Sequence, residues 1–328
     1  MLRRRNGNCH HDKSLEGLID LYLLRCQVEG KSPTTLRAYA WTLRRFVQIA
    51  QEEGFLQDVG QITPAHVYSY LGRFSHLSLD TRHRYHREVS CFFNWLQTMG
   101  YITQSPFANI KKVRLPLKIV QPFSADDVLK LLACCDTGNP SGARDRAILL
   151  VLLDTGIRVG ELVRLEFSDL DLEGQRMRIL HGKGNKQRVV AFGEDCRKEI
   201  LSYLESYRRY RPGPLFVSMK KKQPLQPNAV KQMLRRLGKQ SGISRVHAHR
   251  FRHTFATWAI EQDARELDVQ YLLGHSTPDM VRRYSATYNS EKAARAHHLF
   301  SPAARLRDTA ASPTRDTVSS TLALAPSS

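Results

Sequence analysis

The sequence predicts a mainly α-helical protein of two domains, with a small β-sheet or hairpin in the second. Three observations predict it. Apolar residues recur at helical spacing through most of the chain, one glycine-containing stretch is flanked by two short alternating runs, and a proline-rich basic segment divides the whole. At 328 residues there is chain enough for two domains that each bury a core.

Residues 1–13 are basic and lack the apolar run of a signal peptide; they are expected to be disordered. Residues 14–102 read as a helical domain. Leu36, Tyr39, Ala40, Leu43, Phe46 and Val47 share one stripe between Ser32 and Ala50, with Ser32 and Pro33 as a start signal. Tyr85, Val89, Phe92, Phe93 and Leu96 share another between Thr81 and Met99, where Gly100 ends the pattern. The opposite faces carry Arg37, Arg44 and Arg45 on the first helix and Arg82, Arg84 and Arg87 on the second, candidate phosphate contacts.

Residues 103–122 hold three prolines, four basic residues including Lys111 and Lys112, and no acid, which predicts an extended basic linker. The second domain, 123–300, opens on a capping box at Ser124–Asp127. A helix ending at Gly156 follows, and then "QRMRIL" and "QRVVAF" flank "HGKGNK" as a hairpin. Further helices are expected over about Glu194–Tyr210, Pro227–Gln240 and Ala248–Glu261, with shorter ones up to Leu299. From Ser301 on, 19 of 28 residues are Ser, Thr, Ala or Pro, which predicts a disordered tail.

The net charge of +19 is shared: the first 120 residues carry 17 basic against 9 acidic side chains, and the rest holds the remaining +11. Such a balance favours a polyanionic partner. No run reaches the roughly 20 apolar residues of a membrane span, and none of the six cysteines forms a C-x-x-C pair. Buried thiols in a reducing compartment, and hence a cytoplasmic protein, are expected.

Four stretches concentrate chemistry. "TGIRVGEL" puts Arg158 at a helix start with Glu161 one turn on; "HGKGNKQR" puts Lys183 on a hairpin loop; "HAHRFRHTFAT" puts His249, Arg252 and His253 within one turn; "LGHSTPDMVRRY" supplies His275 and Tyr284. No phosphate-binding glycine loop is complete. His249 and His253 have the spacing of zinc ligands, but Arg250 and Arg252 lie between them and would repel a cation, so no metal is expected. The remaining reading is an anion site with acid–base capacity. Arginine forks grip phosphate oxygens, histidine moves protons near neutrality, and a lysine beside cations can protonate a leaving oxygen. A tyrosine in a strongly positive pocket can then serve as nucleophile. Taken singly, Arg158 could merely pair with Glu161, His253 could be a core histidine and Lys183 a solvated loop residue.

"TGIRVGELVRL", "GKGNKQRVV", "HRFRHTFAT" and "LGHSTPDMVRRY" together resemble the tyrosine recombinases, the phage integrase family that includes Xer-like two-domain enzymes, over about residues 14–300. The resemblance implies a C-shaped clamp of a core-site DNA-binding domain and a catalytic domain. It implies that Tyr284 attacks a DNA phosphodiester to form a 3′-phosphotyrosyl bond, while Arg158 and Arg252 hold the non-bridging oxygens. Lys183 would be the general acid, His249 the general base, His275 a hydrogen-bond partner of the phosphate, and Glu161 an aid to Arg158. His253 is expected to be structural. Arg282 and Arg283 would add positive field near DNA; Tyr284 stands nine residues after His275, the family's spacing, whereas Tyr288 stands thirteen after. The resemblance also implies no cofactor and no metal, double-stranded DNA with inverted-repeat core sites as substrate, and a homotetramer passing through a Holliday junction. An accessory or partner recombinase and a bacterial-type nucleoid location belong to the same expectation. Integration, excision or transposition of a mobile element is the expected role. The alternatives are a Xer-type dimer resolvase, a catalytically silent DNA-binding regulator, and a type IB topoisomerase.

Overall fold

The computed structural model describes residues 14–55, 58–116, 120–180, 187–219 and 222–274, together with His297, Ser301 and Ala303. The chain divides into two compact units at Lys118 and Ile119.

The first unit is helical. α1 (Leu15–Val28) and α2 (Pro33–Glu52) start where Ser14 and Ser32 accept the amides of Gly17 and Thr35, α2 with proline at its first position. α3 (Pro64–Gly72) and α4 (Leu79–Thr98) complete it. The predicted stripes are the buried faces: Leu43, Phe46, Val89, Phe92, Phe93 and Leu96 are sealed from solvent. Phe46 meets Tyr70 and Phe93 edge-on, at ring separations of 4.9 and 5.4 Å.

The segment expected as a linker from residue 103 behaves otherwise in its first part. Ser105, Phe107 and Ile110 are buried, and Phe107 packs on the rings of His86 and Phe93. The apolar side chains of Ile102, Phe107 and Ile110 gain more by joining this core than by following an extended path. Lys111 and Lys112, which follow, are exposed.

The second unit is built around α6 (Pro140–Thr155), which buries residues on all sides and packs on α8 (Glu194–Tyr203) and α10 (Ala248–Glu261). α5 (Ala125–Ala133) opens with the predicted capping box of Ser124 and Asp127. α7 (Val159–Leu162) is a single turn; α9 (Pro227–Ser241) and α11 (Glu266–Leu273) each end on a glycine in the left-handed region. The sheet has three antiparallel strands, β1 (Leu170–Asp171), β2 (Arg176–Ile179) and β3 (Arg188–Ala191), in that order, with Met177 opposite Val190. β2 and β3 are the predicted pair; β1, two residues long, offers no alternation to read. The helix expected to reach Tyr210 ends at Tyr203 and widens into a π turn over Leu204–Arg208. Arg209 at φ +61° and the Pro212-Gly213-Pro214 run that follows stop it. Among the described residues no helix is long and apolar enough to cross a membrane.

Candidate active site

The site grows from the end of α6. Gly156 closes that helix at φ +59°, and a Cβ there would lie 2.7 Å from both Leu273 Cδ2 and Phe255 Cδ1. Only glycine allows the ends of α6 and α11 and the flank of α10 to approach this closely. Two residues on, Arg158 occupies the N-cap of α7, and Glu161 closes the turn by accepting its backbone amide at 2.9 Å and its guanidinium Nη1 at 3.0 Å.

Arg252, on α10, is 3% exposed. Its Nη1 donates to the Gly156 carbonyl at 2.8 Å and its Nη2 to the Leu273 carbonyl at 2.7 Å. Arg158 Nη2 reaches the next carbonyl, Gly274, at 3.4 Å. The last carbonyls of a helix have no partner within it, and the negative end of its dipole welcomes cations. The end of α11 therefore serves as an anchor for both arginines, brought together from positions 94 residues apart in the sequence.

Glu161 is buried, and burial alone would push its carboxyl upward. The bonds from the Arg188 guanidinium and the Arg158 amide, with both positive charges, outweigh that and hold it at about 2. His249 stands one turn before Arg252 on α10 and borders a basic cavity. Partial enclosure of its ring, then the charges of Arg252, His247 and Arg158, lower its pKa, so it is neutral at pH 7 and able to accept a proton. His253, by contrast, turns into the core against Thr257 Oγ1 at 3.2 Å, and burial followed by His249 lowers it to about 4. That is the structural place expected of it. Arg250 is structural too: it stacks over Phe123 at 3.9 Å and donates to the carbonyls of Gln121, Pro122 and Ser244.

The structure thus gathers Arg158, Glu161, His249 and Arg252. Lys183, His275, Tyr284, Arg282 and Arg283 lie outside the described residues. In the first unit Arg37, Arg44 and Arg87 are exposed, while Arg45, Arg82 and Arg84 are half-buried. Arg44 stands 3.8 Å from Asp20, Arg45 donates to Gln48 at 2.6 Å, and Arg84 lies 4.9 Å over the Tyr85 ring. Among the described residues no cluster of three or more His, Cys, Asp or Glu could hold a metal ion.

Two features escaped the sequence reading. Arg188, at the start of β3, forks onto both oxygens of Glu161 at 3.1 and 2.8 Å. Its neighbours in sequence gave no hint of that partner. The second is the cavity of about 770 Å3 beside His249, lined by Lys231, Arg235, Lys239, Arg245 and His247 among others. Here a signal existed: Lys231, Arg235 and Lys239 recur at intervals of four and so share one face of α9.

The Phage integrase family pattern matches residues 121–291, and the phage integrase N-terminal SAM-like domain matches residues 19–96. The chain belongs to the phage integrase family of tyrosine recombinases. Tyrosine recombinase XerC of Staphylococcus epidermidis is 30% identical over 275 residues, covering 83% of this chain and 92% of that protein. Tyrosine recombinase XerD of Listeria innocua is 31% identical over 281 residues, covering 83% and 94%. In fold, the chain resembles the XerH site-specific recombinase bound to a palindromic difH substrate, a post-cleavage complex, with a TM-score of 0.68, 23% identity and coverage of 87% and 84%.

Proposed function

We propose that the protein is a site-specific recombinase that cuts and rejoins double-stranded DNA through a 3′-phosphotyrosyl bond to Tyr284. One observation carries the reading: Arg158, paired with Glu161, and Arg252 are both held by the carbonyls that end α11, beside a His249 whose pKa is lowered, and the sequence motifs that resemble the family's supply Lys183, His275 and Tyr284.

The Tyr284 phenol oxygen attacks phosphorus, the bond to the 5′ oxygen breaks, and that oxygen takes its proton from Lys183. His249 receives the phenol proton and His275 hydrogen-bonds the phosphate. Arg158 and Arg252 meet the negative charge that grows on the non-bridging oxygens in the transition state, where fixed positive charge lowers the barrier most. The new ester stores the energy of the old one, so a 5′ hydroxyl from a second duplex can reverse the step without ATP. The DNA carries inverted-repeat core sites and is gripped by four copies working through a Holliday junction, with an accessory or partner recombinase where the site requires one. Arg37, Arg44, Arg45, Arg82, Arg84, Arg87, Lys111, Lys112, Arg282 and Arg283 supply phosphate contacts, and the basic lining of the cavity beside α9 adds to them. The enzyme works in the cytoplasm, on DNA.

Two biological roles are carried by different observations. The likeness to XerC and XerD supports a dimer resolvase, while the serine- and alanine-rich stretch from Ser301 supports an enzyme of a mobile element. Sequencing the DNA on either side of the gene separates them.

The chemistry is tested on a nicked suicide duplex bearing a site the protein selects from a random-sequence library. A denaturing gel then shows a covalent protein–DNA adduct with the unaltered protein and none with Tyr284→Phe. An adduct that survives Tyr284→Phe overturns the assignment of the nucleophile.

A further inference from the structure

Arg188 is the most completely bonded of the arginines around Glu161. Its Nη1 and Nη2 donate to Glu161 Oε1 and Oε2 at 3.1 and 2.8 Å, and its Nε donates to the Leu272 carbonyl at 2.7 Å. Leu272, Leu273 and Gly274 are consecutive, and their carbonyls are taken by Arg188, Arg252 and Arg158 in that order. A Cβ on Gly274 would lie 3.2 Å from the Arg188 guanidinium, so this side chain is pressed against the backbone where α11 ends.

The charges explain why a second arginine on Glu161 is needed. Glu161 alone against Arg158 would make a neutral pair, and a neutral pair has no net attraction for phosphate. With Arg188 added, one carboxylate faces two guanidiniums, and the cluster keeps one net positive charge. The Arg188 side chain is 11% exposed and that of Arg158 31%, so the sealed cation balances the carboxylate and the accessible one is left for substrate. The four acceptor positions of Glu161 are also filled, two by Arg188 and two by Arg158. Without Arg188 the vacant pair would draw Arg158 into a two-toothed grip on Glu161, turning its fork away from phosphate.

We propose that Arg188 is a positioning residue for strand cleavage: it takes up the charge of Glu161 and fixes the end of α11, leaving the charge of Arg158 for the scissile phosphate. The assignment rests on the recombinase reading above. Arg188 also begins β3, and in the sequence it follows Lys183 by five residues.

The test compares the unaltered protein with Arg188→Met, Arg188→Lys, Glu161→Gln and the double variant Arg188→Met/Glu161→Gln. Each is followed for its rate of adduct formation on the selected nicked duplex and for its affinity for the same duplex, at a temperature where circular dichroism shows it folded. Arg188→Met lowers the rate about 10- to 100-fold, the scale of losing an outer partner that orients a direct ligand, and leaves duplex affinity unchanged. The double variant, with neither buried charge, recovers about tenfold or more over Arg188→Met, the gain expected when an unbalanced carboxylate is removed. Arg188→Lys keeps the charge without the fork and falls between the unaltered protein and Arg188→Met; it carries the comparison if Arg188→Met does not fold. No recovery in the double variant, or a lysine variant as slow as the methionine one, overturns the assignment and leaves the recombinase reading standing. A loss of duplex affinity matching the loss of rate shows that Arg188 touches DNA and overturns it as well. Failure of the unaltered protein to form any adduct overturns the recombinase reading itself.

Discussion

Replacing Glu161 by Gln removes one charge and almost no volume, and the structure fixes the size of the effect. The carboxyl is held at about 2 against an ordinary 4.5. At about 1.4 kcal/mol for each tenfold change in acidity, that difference is worth about 3 kcal/mol of stability at neutral pH. The folded value lies below the unfolded one, so this stability is complete above about 4.5 and is lost as pH falls toward 2. The same figure follows from the other side. The substituted side chain would place an amide N–H2 among donors from Arg158 and Arg188, and breaking a buried ion pair by neutralising one partner costs about 3–5 kcal/mol. Scanning calorimetry of the whole chain reads it; the two compact units are expected to melt in two transitions, with that of the first unit as the internal control. For a unit of this size about 3 kcal/mol lowers the transition by roughly 6–12 °C at pH 7. The gap between variant and unaltered protein shrinks to roughly half near pH 3. A gap that stays constant with pH, or that falls equally on both transitions, refutes the account of Glu161.

Gly156→Ala forces a β-carbon into Leu273 and Phe255 at a positive φ, and it is expected to cost about 1–3 kcal/mol in the second transition while slowing cleavage, because the Gly156 carbonyl holds Arg252. A variant with unaltered melting shows that the approach of α6 to α11 is not tight. Arg235→Ala and Lys239→Ala are each expected to reduce the slope of log affinity against log salt for duplex DNA by about 0.9 per lost phosphate contact. Fluorescence anisotropy over a salt series measures it, and unchanged slopes remove this face of α9 from the DNA interface.

Much of the architecture was legible before any coordinate. The faces of α2 and α4, the caps at Ser32 and Ser124, the stop at Gly156 and the β2–β3 pair all follow from interactions within a few residues. Segments whose fate depends on distant partners were read less well. Phe107 and Ile110 look like part of a proline-rich connector until a hydrophobic core accepts them. The helix after Tyr203 had good helical composition but met a turn it could not cross.

The sequence by itself determined the helical elements, the basic character and the family motifs that name Arg158, Glu161, His249 and Arg252. Local spacing carries the helices, composition the charge, and resemblance to a known family the motifs. Only the tertiary structure decided how they are held. Arg188 and Leu272 are 84 residues apart, and Arg158 and Gly274 are 116 apart. Nothing in the neighbourhood of an arginine reveals which carbonyl or carboxylate it will find across the fold. That choice belongs to the packing at Gly156, where three helices come close enough for one helix end to anchor three guanidiniums.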